Sequence, residues 1–244
     1  MITDKDIGKV LALIPAKEGS QRLPSKNILP LAGKTLLERA VYSARKADLF
    51  DRISVSTESA RVASIASAVG IELPFMRPPE LARDPAGVVE VALHALDKWE
   101  SLGEKFDTLA ILLPTSPFRL ASDIVAAMKL YRQLEVDFLM SVVEEVHSPL
   151  SSLILEGERL QPLHPDWLNR TGARATAETP DIVRCNGAVT IVDVIRFREE
   201  RNYYAFPMAA YKMPAERSLD IDTELEFTFA EFLAERHPEW LDDA

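Results

Sequence analysis

Short apolar runs alternate with segments of helical periodicity along most of this sequence. Residues 10–14 form an apolar run that Pro15 stops, which fits a strand buried on both faces of a parallel sheet. Residues 35–48 carry apolar side chains at helical spacing, and residues 52–57 return to strand character. Because crossover helices join parallel strands, this alternation predicts an α/β fold with a mostly parallel sheet and helices on both faces.

The same alternation continues to residue 213, with one interruption. It predicts helices at residues 59–69, 87–102, 122–134 and 195–202, and extended segments at 71–76, 108–113, 138–143, 187–194 and 207–213. A last helix is predicted after Thr223, because Glu226 three positions later completes the spacing of a capping box.

The interruption is the segment at residues 151–179, which is polar and rich in turn-forming residues. The dipeptide Glu156-Gly157 lies there between two short apolar runs, which predicts a hairpin. We therefore expect a single domain over residues 1–244 with an inserted arm at about 146–182. Such an arm acts either as a lid or as an oligomerisation element, and the sequence leaves both open.

The charge and the cysteine content exclude several classes of protein. The formal net charge is -10, whereas a nucleic-acid surface needs a concentrated excess of lysine and arginine. Cys185 is the single cysteine, which excludes an intramolecular disulfide and fits a small buried residue in a reducing compartment. The sequence shows neither a signal peptide nor a run of about 18 apolar residues. We expect a cytoplasmic protein that binds neither nucleic acid nor membrane.

The loop at residues 14–27, IPAKEGSQRLPSKN, leaves the carboxyl end of the first predicted strand, where open α/β sheets bind ligands. Its charged side chains are three cations and one carboxylate: Lys17, Arg22, Lys26 and Glu18. The loop is therefore basic inside an acidic protein, and Gly19 and Ser20 allow backbone N–H groups to converge on phosphate oxygens. An exposed polar loop without a ligand is the alternative. The P-loop pattern and the GxGxxG dinucleotide pattern are both absent.

Asp220 and Asp222 lie two positions apart on a segment that we expect to be extended, so their side chains project from one face. Two carboxylates there suit Mg²⁺, which binds oxygen ligands and is held by one or two carboxylates together with substrate phosphates. The alternative is that Asp222 helps to cap the following helix while Asp220 is solvated.

Two further motifs are candidates: a loop after the central predicted strand, expected at the same edge of the sheet, and a short motif at the start of a late predicted strand. Residues 112–119, LLPTSPFR, place the hydroxyls of Thr115 and Ser116 between two prolines, although a rigid turn explains the same pattern. Residues 184–187, RCNG, offer Arg184 to bind a carboxylate or phosphate, or to form a surface salt bridge. The four histidines show no metal-ligand spacing, so zinc is not expected.

Taken together and in this order, the motifs resemble those of the acylneuraminate cytidylyltransferases, the CMP-N-acetylneuraminic acid synthetases. The resemblance runs over most of the chain and rests on six segments: IPAKEGSQRLPSKN, DRISVST, RPPELARD, LLPTSPFR, RCNGAV and SLDIDTELE. It implies a Rossmann-like fold of the nucleotide-diphospho-sugar transferase type, with an inserted arm through which two copies form a homodimer. It also implies a reaction in which the anomeric hydroxyl of a 2-keto-3-deoxy sugar acid attacks the α-phosphorus of CTP and expels pyrophosphate.

The resemblance also implies roles for individual residues. The nucleotide-binding positions are Lys17, Gly19, Ser20, Arg22, Lys26, Asn27, Arg77 and Ala86. The sugar-binding positions are Thr115, Ser116, Arg184, Asn186, Tyr203 and Tyr204. The catalytic positions are Lys26, Asp220 and Asp222, and the two aspartates hold Mg²⁺. Charge neutralisation and in-line positioning would supply most of the catalysis.

The sugar-binding side departs from the family pattern more than the nucleotide-binding side. Several positions differ from the residue usual in the family: Leu113 for glutamine, Ser151 for lysine, Thr190 for tyrosine, Thr176 for arginine with Arg174 nearby, and Lys17 for arginine. Because leucine cannot hydrogen-bond a sugar, we expect an acceptor other than N-acetylneuraminate, such as a pseudaminic or legionaminic acid or an amino variant of the eight-carbon acid. Two alternatives remain, a same-fold nucleotidyltransferase for another nucleotide or sugar and a degenerate nucleotide-binding regulatory paralogue.

Overall fold

A six-stranded sheet forms the centre of the molecule in the computed structural model, which describes residues 5–168 and 180–241. Along the described chain the strands are β1 (Val10–Pro15), β2 (Pro30–Leu31), β3 (Lys34–Thr35), β4 (Arg52–Ser56), β5 (Thr108–Ile111), β6 (Phe138–Glu144), β7 (Leu153–Glu156), β8 (Arg159–Pro162), β9 (Val183–Asp193) and β10 (Met208–Lys212). The α-helices there are α1 (Leu36–Ala47), α2 (Ala60–Ala68), α3 (Val88–Ser101), α4 (Ala121–Gln133), α5 (Pro165–Leu168), α6 (Val194–Glu200) and α7 (Glu224–Arg236). None of these helices is long and apolar enough to span a membrane.

The spatial order of the sheet strands is β10-β6-β9-β5-β1-β4, and within this sheet β9 runs antiparallel to both of its neighbours. The other neighbouring pairs are parallel, which confirms the mostly parallel sheet. The chain passes from β1 to β4 on one side and then to β5 on the other, so the winding direction reverses at β1. Open α/β sheets bind ligands in the crevice at such a reversal, outside the carboxyl ends of the strands.

The side chains of β1 alternate between two hydrophobic cores, one on each face of the sheet. Ala12 and Ile14 pack with helices α1, α2 and α4, whereas Leu11 and Leu13 pack with α3 and α6. All four side chains are fully buried. Because both faces are covered by helices, the strand is a continuous apolar run, as the sequence predicts.

Capping boxes begin helices α1 and α7. The Thr35 hydroxyl accepts the N–H of Glu38 at 3.2 Å, and the Glu38 carboxylate accepts the N–H of Thr35 at 2.7 Å. Thr223 and Glu226 form the same pair of hydrogen bonds at α7, so the predicted capping box is confirmed. Each box satisfies N–H groups that the first turn of a helix leaves unpaired.

One predicted extended segment, residues 71–76, is not a strand. It is irregular because Pro74 has no N–H to donate to a sheet ladder. The segment instead leads the chain back across the end of β4 to Arg77, whose N–H donates to the carbonyl oxygen of Thr57 at 2.8 Å. This return places Arg77 at the carboxyl edge of the sheet.

The structure describes the late strand and the hairpin in the inserted segment. The strand predicted at residues 187–194 begins earlier, at Val183, because its first residues pair with β6. Strands β7 and β8 form the expected hairpin, and Gly157 in its turn adopts a φ of +64°. The arm boundaries at 146–182 stay a prediction.

A buried ion pair fixes the segment that carries the two aspartates. Asp123, in the first turn of α4, is 1% exposed and accepts hydrogen bonds from both terminal nitrogens of Arg217. Tyr211 donates to the same carboxylate at 3.0 Å, and burial together with the Asp123 charge raises the pKa of Tyr211 to about 12. Arg217 also donates to the carbonyl oxygen of Phe118 at 3.2 Å. Because Arg217 directly precedes residues 218–222, the pair holds them against the loop after β5.

Candidate functional site

Side-chain contacts hold the loop after β1 in a closed shape. Asn27 is buried, and its Nδ2 donates to the carbonyl oxygen of Lys17 at 2.8 Å. Lys26 opens a short 3-10 helix, Lys26–Ile28, which the chain enters through Ser25 in the left-handed conformation at a φ of 56°. The Asn27 contact therefore brings the beginning and the end of the loop together.

A cavity of about 210 Å³ lies in the crevice beside β1. Its lining residues are Pro15, Lys17, Lys26, Asn27, Arg77, Leu81, Ala86, Gly87, Val88, Val91, Leu113, Pro114 and Thr115. Lys17 and Lys26 give it a cationic part, and Leu81, Val88 and Val91 give it an apolar part. This combination suits a ligand that has a flat, weakly polar group joined to an anionic group.

Arg77 is the buried cation of the cavity. Its side chain is 3% exposed, and its Nη2 forms an ion pair with Glu58. Its Nε is buried without a hydrogen-bond partner among the described residues. Burial would raise the pKa of Glu58, but hydrogen bonds from Arg77 and from the backbone outweigh it and lower that pKa. Glu58 is therefore a charged partner at neutral pH.

Asp222 lies between two cations of the loop. Lys26 Nζ is 2.6 Å from one carboxylate oxygen of Asp222, and Arg22 contacts the other. Lys26 also donates to the carbonyl oxygen of Ile221 at 3.2 Å. Burial would raise the pKa of Asp222, but Lys26 and Arg22 outweigh it and lower that pKa. These ion pairs thus connect the loop of residues 14–27 to the segment of residues 218–222, which carries both aspartates.

Asp220 has one carboxylate oxygen, Oδ1, that is buried without a hydrogen-bond partner among the described residues. Burial raises the pKa of Asp220; a hydrogen bond from Thr115 opposes the rise, and the negative charge of Asp222 adds to it. An unpaired buried carboxylate oxygen is costly, and a bound cation would satisfy it.

Asn186 connects the sheet to the segment ahead of Asp220. It is 1% exposed, its Oδ1 accepts from Ser141 at 2.6 Å, and its Nδ2 donates to Ser218 at 2.9 Å. The next residue, Gly187, has a φ of +73°, and a Cβ built there would lie 3.7 Å from Asp220 Oδ2. The Asn186 side chain therefore has a structural role, and direct contact with a sugar stays a prediction.

Two tyrosines lie next to the half-buried Cys185. The ring centroids of Tyr203 and Tyr204 are 5.0 Å apart, and Tyr204 is 51% exposed. Tyr203 packs against the same hydrophobic core as Leu113. Burial raises the pKa of Tyr203 and that of Tyr204, and the nearby Cys185 adds to both rises. Cys185 is half-buried, whereas the sequence predicts a buried residue.

Most of the predicted nucleotide-binding residues converge. Five line the cavity: Lys17, Lys26, Asn27, Arg77 and Ala86. Gly19 lines a neighbouring cavity of about 390 Å³ that shares Lys17, and Arg22 contacts Asp222. Ser20 lines neither of these two cavities, and its N–H donates to the carbonyl oxygen of Glu18 at 3.0 Å.

The predicted sugar-binding residues are more dispersed, and among them Thr115 alone lines the first cavity. Ser116 is buried and donates to the carbonyl oxygen of Asn186 at 3.2 Å. Arg184 is exposed and lies 3.2 Å from Glu145 in a salt bridge. Two positions fall outside the described residues: Arg174 and Thr176. The sugar-binding roles therefore stay predictions.

Sequence reasoning missed Glu58 and the apolar lining residues Leu81, Val88 and Val91. The signal for Glu58 is an acidic residue two positions after a strand that ends at the ligand-binding edge of the sheet. Within residues 5–168 and 180–241, no group of three or more histidine, cysteine, aspartate or glutamate residues could hold a metal ion. Asp220 and Asp222 would therefore need further ligands from a bound substrate to hold Mg²⁺.

Residues 11–152 match a family model described as cytidylyltransferase. The match covers more than half of the chain. The chain belongs to the cytidylyltransferase family. It is therefore a nucleotidyltransferase, and the predicted family is confirmed.

Individual relatives agree with this family. The CMP-N,N'-diacetyllegionaminic acid synthase of Legionella pneumophila is 29% identical over an alignment 247 positions long. The alignment covers 96% of this chain and 99% of that protein. The N-acylneuraminate cytidylyltransferase of Escherichia coli O18:K1:H7 is 32% identical over 91% of this chain, which spans about half (51%) of that relative. The solved structure of CMP:2-keto-3-deoxy-manno-octonic acid synthetase complexed with CTP matches 95% of this chain and 99% of that chain with a TM-score of 0.66. Its sequence identity is 16%, so this likeness shows a common fold.

We expect Gly187→Ala to disturb the site of this cytidylyltransferase and Gly157→Ala to leave it intact. Both glycines have a positive φ, so alanine costs about 1–2 kcal/mol of folding stability at either position. At Gly187 the new Cβ would lie 3.1 Å from Leu113 Cδ1, whereas nothing lies within 4 Å at Gly157. Urea unfolding and CTP-dependent turnover of both variants check this. Equal turnover of the two variants would contradict the close packing at Gly187.

Proposed function

We propose that this protein transfers the cytidylyl group of CTP to a nonulosonic acid, giving the CMP-sugar and pyrophosphate. The main observation in support is that Lys17, Lys26 and Arg77 line one cavity and that Asp222 forms an ion pair with Lys26 beside it. The relatives named for CMP-legionaminic and N-acylneuraminate chemistry support the same class of acceptor.

The cavity supports binding of CTP in one orientation. Leu81, Val88 and Val91 suit the faces of a pyrimidine, and the buried Arg77 offers an N–H donor to the base edge. Lys17 and Lys26 then lie where they can neutralise phosphate oxygens. A local cationic site of this kind concentrates an anionic substrate even though the whole protein is acidic.

The two aspartates fit a divalent cation. Asp220 Oδ1 has no protein partner among the described residues, and Asp222 is a charged carboxylate close enough to interact with it. We assign Asp220 and Asp222 as the protein ligands of Mg²⁺, with substrate phosphates completing the set. Bound Mg²⁺ would neutralise the triphosphate and the departing pyrophosphate. Lys26 and Arg22, which neutralise Asp222 in this structure, would then be released to bind phosphate.

The reaction balances without another co-reactant. The anomeric oxygen of the sugar acid forms a bond to the α-phosphorus, the bond from that phosphorus to the β-phosphate oxygen breaks, and the hydroxyl proton is released. The protein acts mainly by holding the reactants in line and by stabilising negative charge on the leaving pyrophosphate. Lys26 is the side chain best placed for the second task, because it lines the cavity and contacts the aspartate segment.

The acceptor that we propose is a nonulosonic acid other than N-acetylneuraminate. Leu113 gives the cavity an apolar side chain next to Thr115, and Tyr203 packs on the same core. These side chains suit methyl and acyl substituents better than additional hydroxyl groups. The alignment with the Legionella pneumophila legionaminic acid enzyme covers nearly all of both chains and supports a di-N-acylated acceptor.

Pyrophosphate release from CTP, measured with a panel of sugar acids, tests both parts of this proposal. The panel is N-acetylneuraminate, N,N'-diacetyllegionaminate, a pseudaminic acid and 2-keto-3-deoxy-manno-octonic acid. We expect the highest kcat/KM with a di-N-acylated acid and little release when UTP or GTP replaces CTP. If N-acetylneuraminate is the best acceptor, the substrate assignment fails while the use of CTP stands. If no acid supports release, the proposed reaction itself fails.

We expect Asp222→Asn to reduce turnover by about 100-fold or more, the scale of losing one stabiliser of transition-state charge. Chelation of divalent cations by EDTA should stop turnover of the wild-type protein, and added Mg²⁺ should restore it. Asp97→Asn is the matched control, since Asp97 pairs with Arg198 at the surface. Wild-type turnover in the Asp222 variant, or in EDTA, would remove the metal assignment.

The inserted arm supports a homodimer. Every residue of β7 and β8 is exposed, including the apolar Leu153, Leu155 and Leu160, which are 50%, 68% and 62% exposed. A two-stranded hairpin is marginal in water unless another element covers it. We propose that a second copy of the chain covers this hairpin.

Sedimentation analysis of Leu155→Asp tests the dimer. The buried charge should convert the dimer to monomer, because a charged residue in an apolar interface is strongly unfavourable. Leu102→Asp is the control, since Leu102 is 54% exposed at the end of α3, outside the arm. A monomeric wild-type protein, or a Leu155 variant that remains dimeric, would overturn the assignment.

A further inference from the structure

The Glu58 carboxylate contacts two separate parts of the nucleotide site. It follows β4 and Thr57, at the edge of the sheet where the loop of residues 14–27, the phosphate loop of the proposed site, leaves β1. Its Oε1 accepts the backbone N–H of Glu18 at 3.0 Å, and its Oε2 accepts from Arg77 Nη2. Glu18 belongs to the loop with Lys17, whereas Arg77 belongs to the buried wall of the cavity. One carboxylate therefore bridges the two.

The turn around Glu58 strengthens both contacts. The Ser59 hydroxyl donates to Glu18 Oε2 at 2.5 Å, so the loop is held through its side chain as well as its backbone. The N–H of Arg77 donates to the carbonyl oxygen of Thr57 at 2.8 Å, so Arg77 is held through its backbone as well as its guanidinium. The turn at residues 57–59 thus makes two hydrogen bonds to Glu18 of the loop and two to Arg77.

The Glu58 contact also determines which part of Arg77 is available. The guanidinium is nearly fully buried in the lining of the cavity, with Nη2 used by Glu58. Nε is buried and has no partner among the described residues, which is costly unless a ligand supplies an acceptor. Arginine presents its donors in a rigid plane, so fixing one edge of the plane fixes the direction of the others.

We propose that Glu58 is a positioning residue that couples recognition of the base, through Arg77, to the shape of the phosphate loop, through Glu18. The inference rests on the proposed use of CTP. Glu58 does not touch the reacting atoms. Together with the contacts of Thr57 and Ser59, it sets the two binding elements at a fixed separation, so that one nucleotide can satisfy both.

Binding measurements without an acceptor sugar test this coupling. Dissociation constants are measured by calorimetry at a fixed Mg²⁺ concentration for CTP, which probes both elements, and for inorganic tripolyphosphate, which probes the loop alone. The variants are Glu58→Ala, which removes both contacts, Glu58→Gln, which has a single acceptor oxygen, and Arg77→Ala. Glu104→Gln is the control, because Glu104 forms a more exposed ion pair with Arg52, at 2.6 Å, at the opposite end of β4. Thermal unfolding of each variant is recorded in parallel.

We expect Glu58→Ala to weaken both CTP and tripolyphosphate by about tenfold or more, the scale of an unmade hydrogen bond to a charged group. Arg77→Ala should weaken CTP and leave tripolyphosphate unchanged. Glu58→Gln should bind CTP with an affinity between those of the wild type and Glu58→Ala. The control should keep wild-type affinity for both ligands even if its Tm falls.

Three results would overturn the coupling: unchanged CTP affinity in Glu58→Ala, an effect of Glu58→Ala on CTP alone, or equal losses in the Glu104 control. The first places Glu58 outside the binding machinery, the second limits it to Arg77, and the third reduces it to a structural role. CTP binding by the wild-type protein is measured before that of any variant. If the wild-type protein does not bind CTP, the proposed function is overturned instead.

Discussion

The alignment of the carboxyl ends of β1, β4 and β5 is the constraint on which the rest of the structure depends. Parallel pairing places the loop after each strand at one edge, and the reversal of winding at β1 opens a crevice between those loops. Helices on both faces bury β1 completely. Three elements of the site are attached to this edge: the basic loop follows β1, Glu58 follows β4, and Thr115 follows β5.

Electrostatics determine how these loops meet. In a chain with a net charge of -10, two of the three cations of the basic loop, Arg22 and Lys26, form ion pairs with Asp222. Arg77, in the lining of the cavity, forms a third ion pair with Glu58. A phosphate ligand that binds Lys26 or Arg22 therefore replaces an existing ion pair, and these pairs limit the cost of keeping cations together at partly buried positions. The strength of binding then depends on the difference between two sets of charge contacts.

The sequence predicts the sheet, its helices and most of the nucleotide side, because these depend on local periodicity and on residue types such as Lys17 and Lys26. The strand predicted at residues 71–76 is wrong, because the apolar content of the segment outweighed Pro74, which removes a ladder donor. The sequence could not give Asn186 a structural role, because its partners Ser141 and Ser218 are distant in sequence. Glu58 was missed for the same reason: its significance comes from Glu18 and Arg77, which only the fold brings together.

The antiparallel direction of β9 has a further consequence for the length of the segment inserted between β6 and β9. The chain leaves the sheet at the end of β6 and re-enters beside it, with the N–H of Glu145 donating to the carbonyl oxygen of Ile182 at 2.9 Å. A backbone hydrogen bond thus closes the base of the inserted segment between β6 and β9. Doubling such a connection costs only about 0.6 kcal/mol of closure entropy. The inserted segment can therefore change in length at little cost in folding stability.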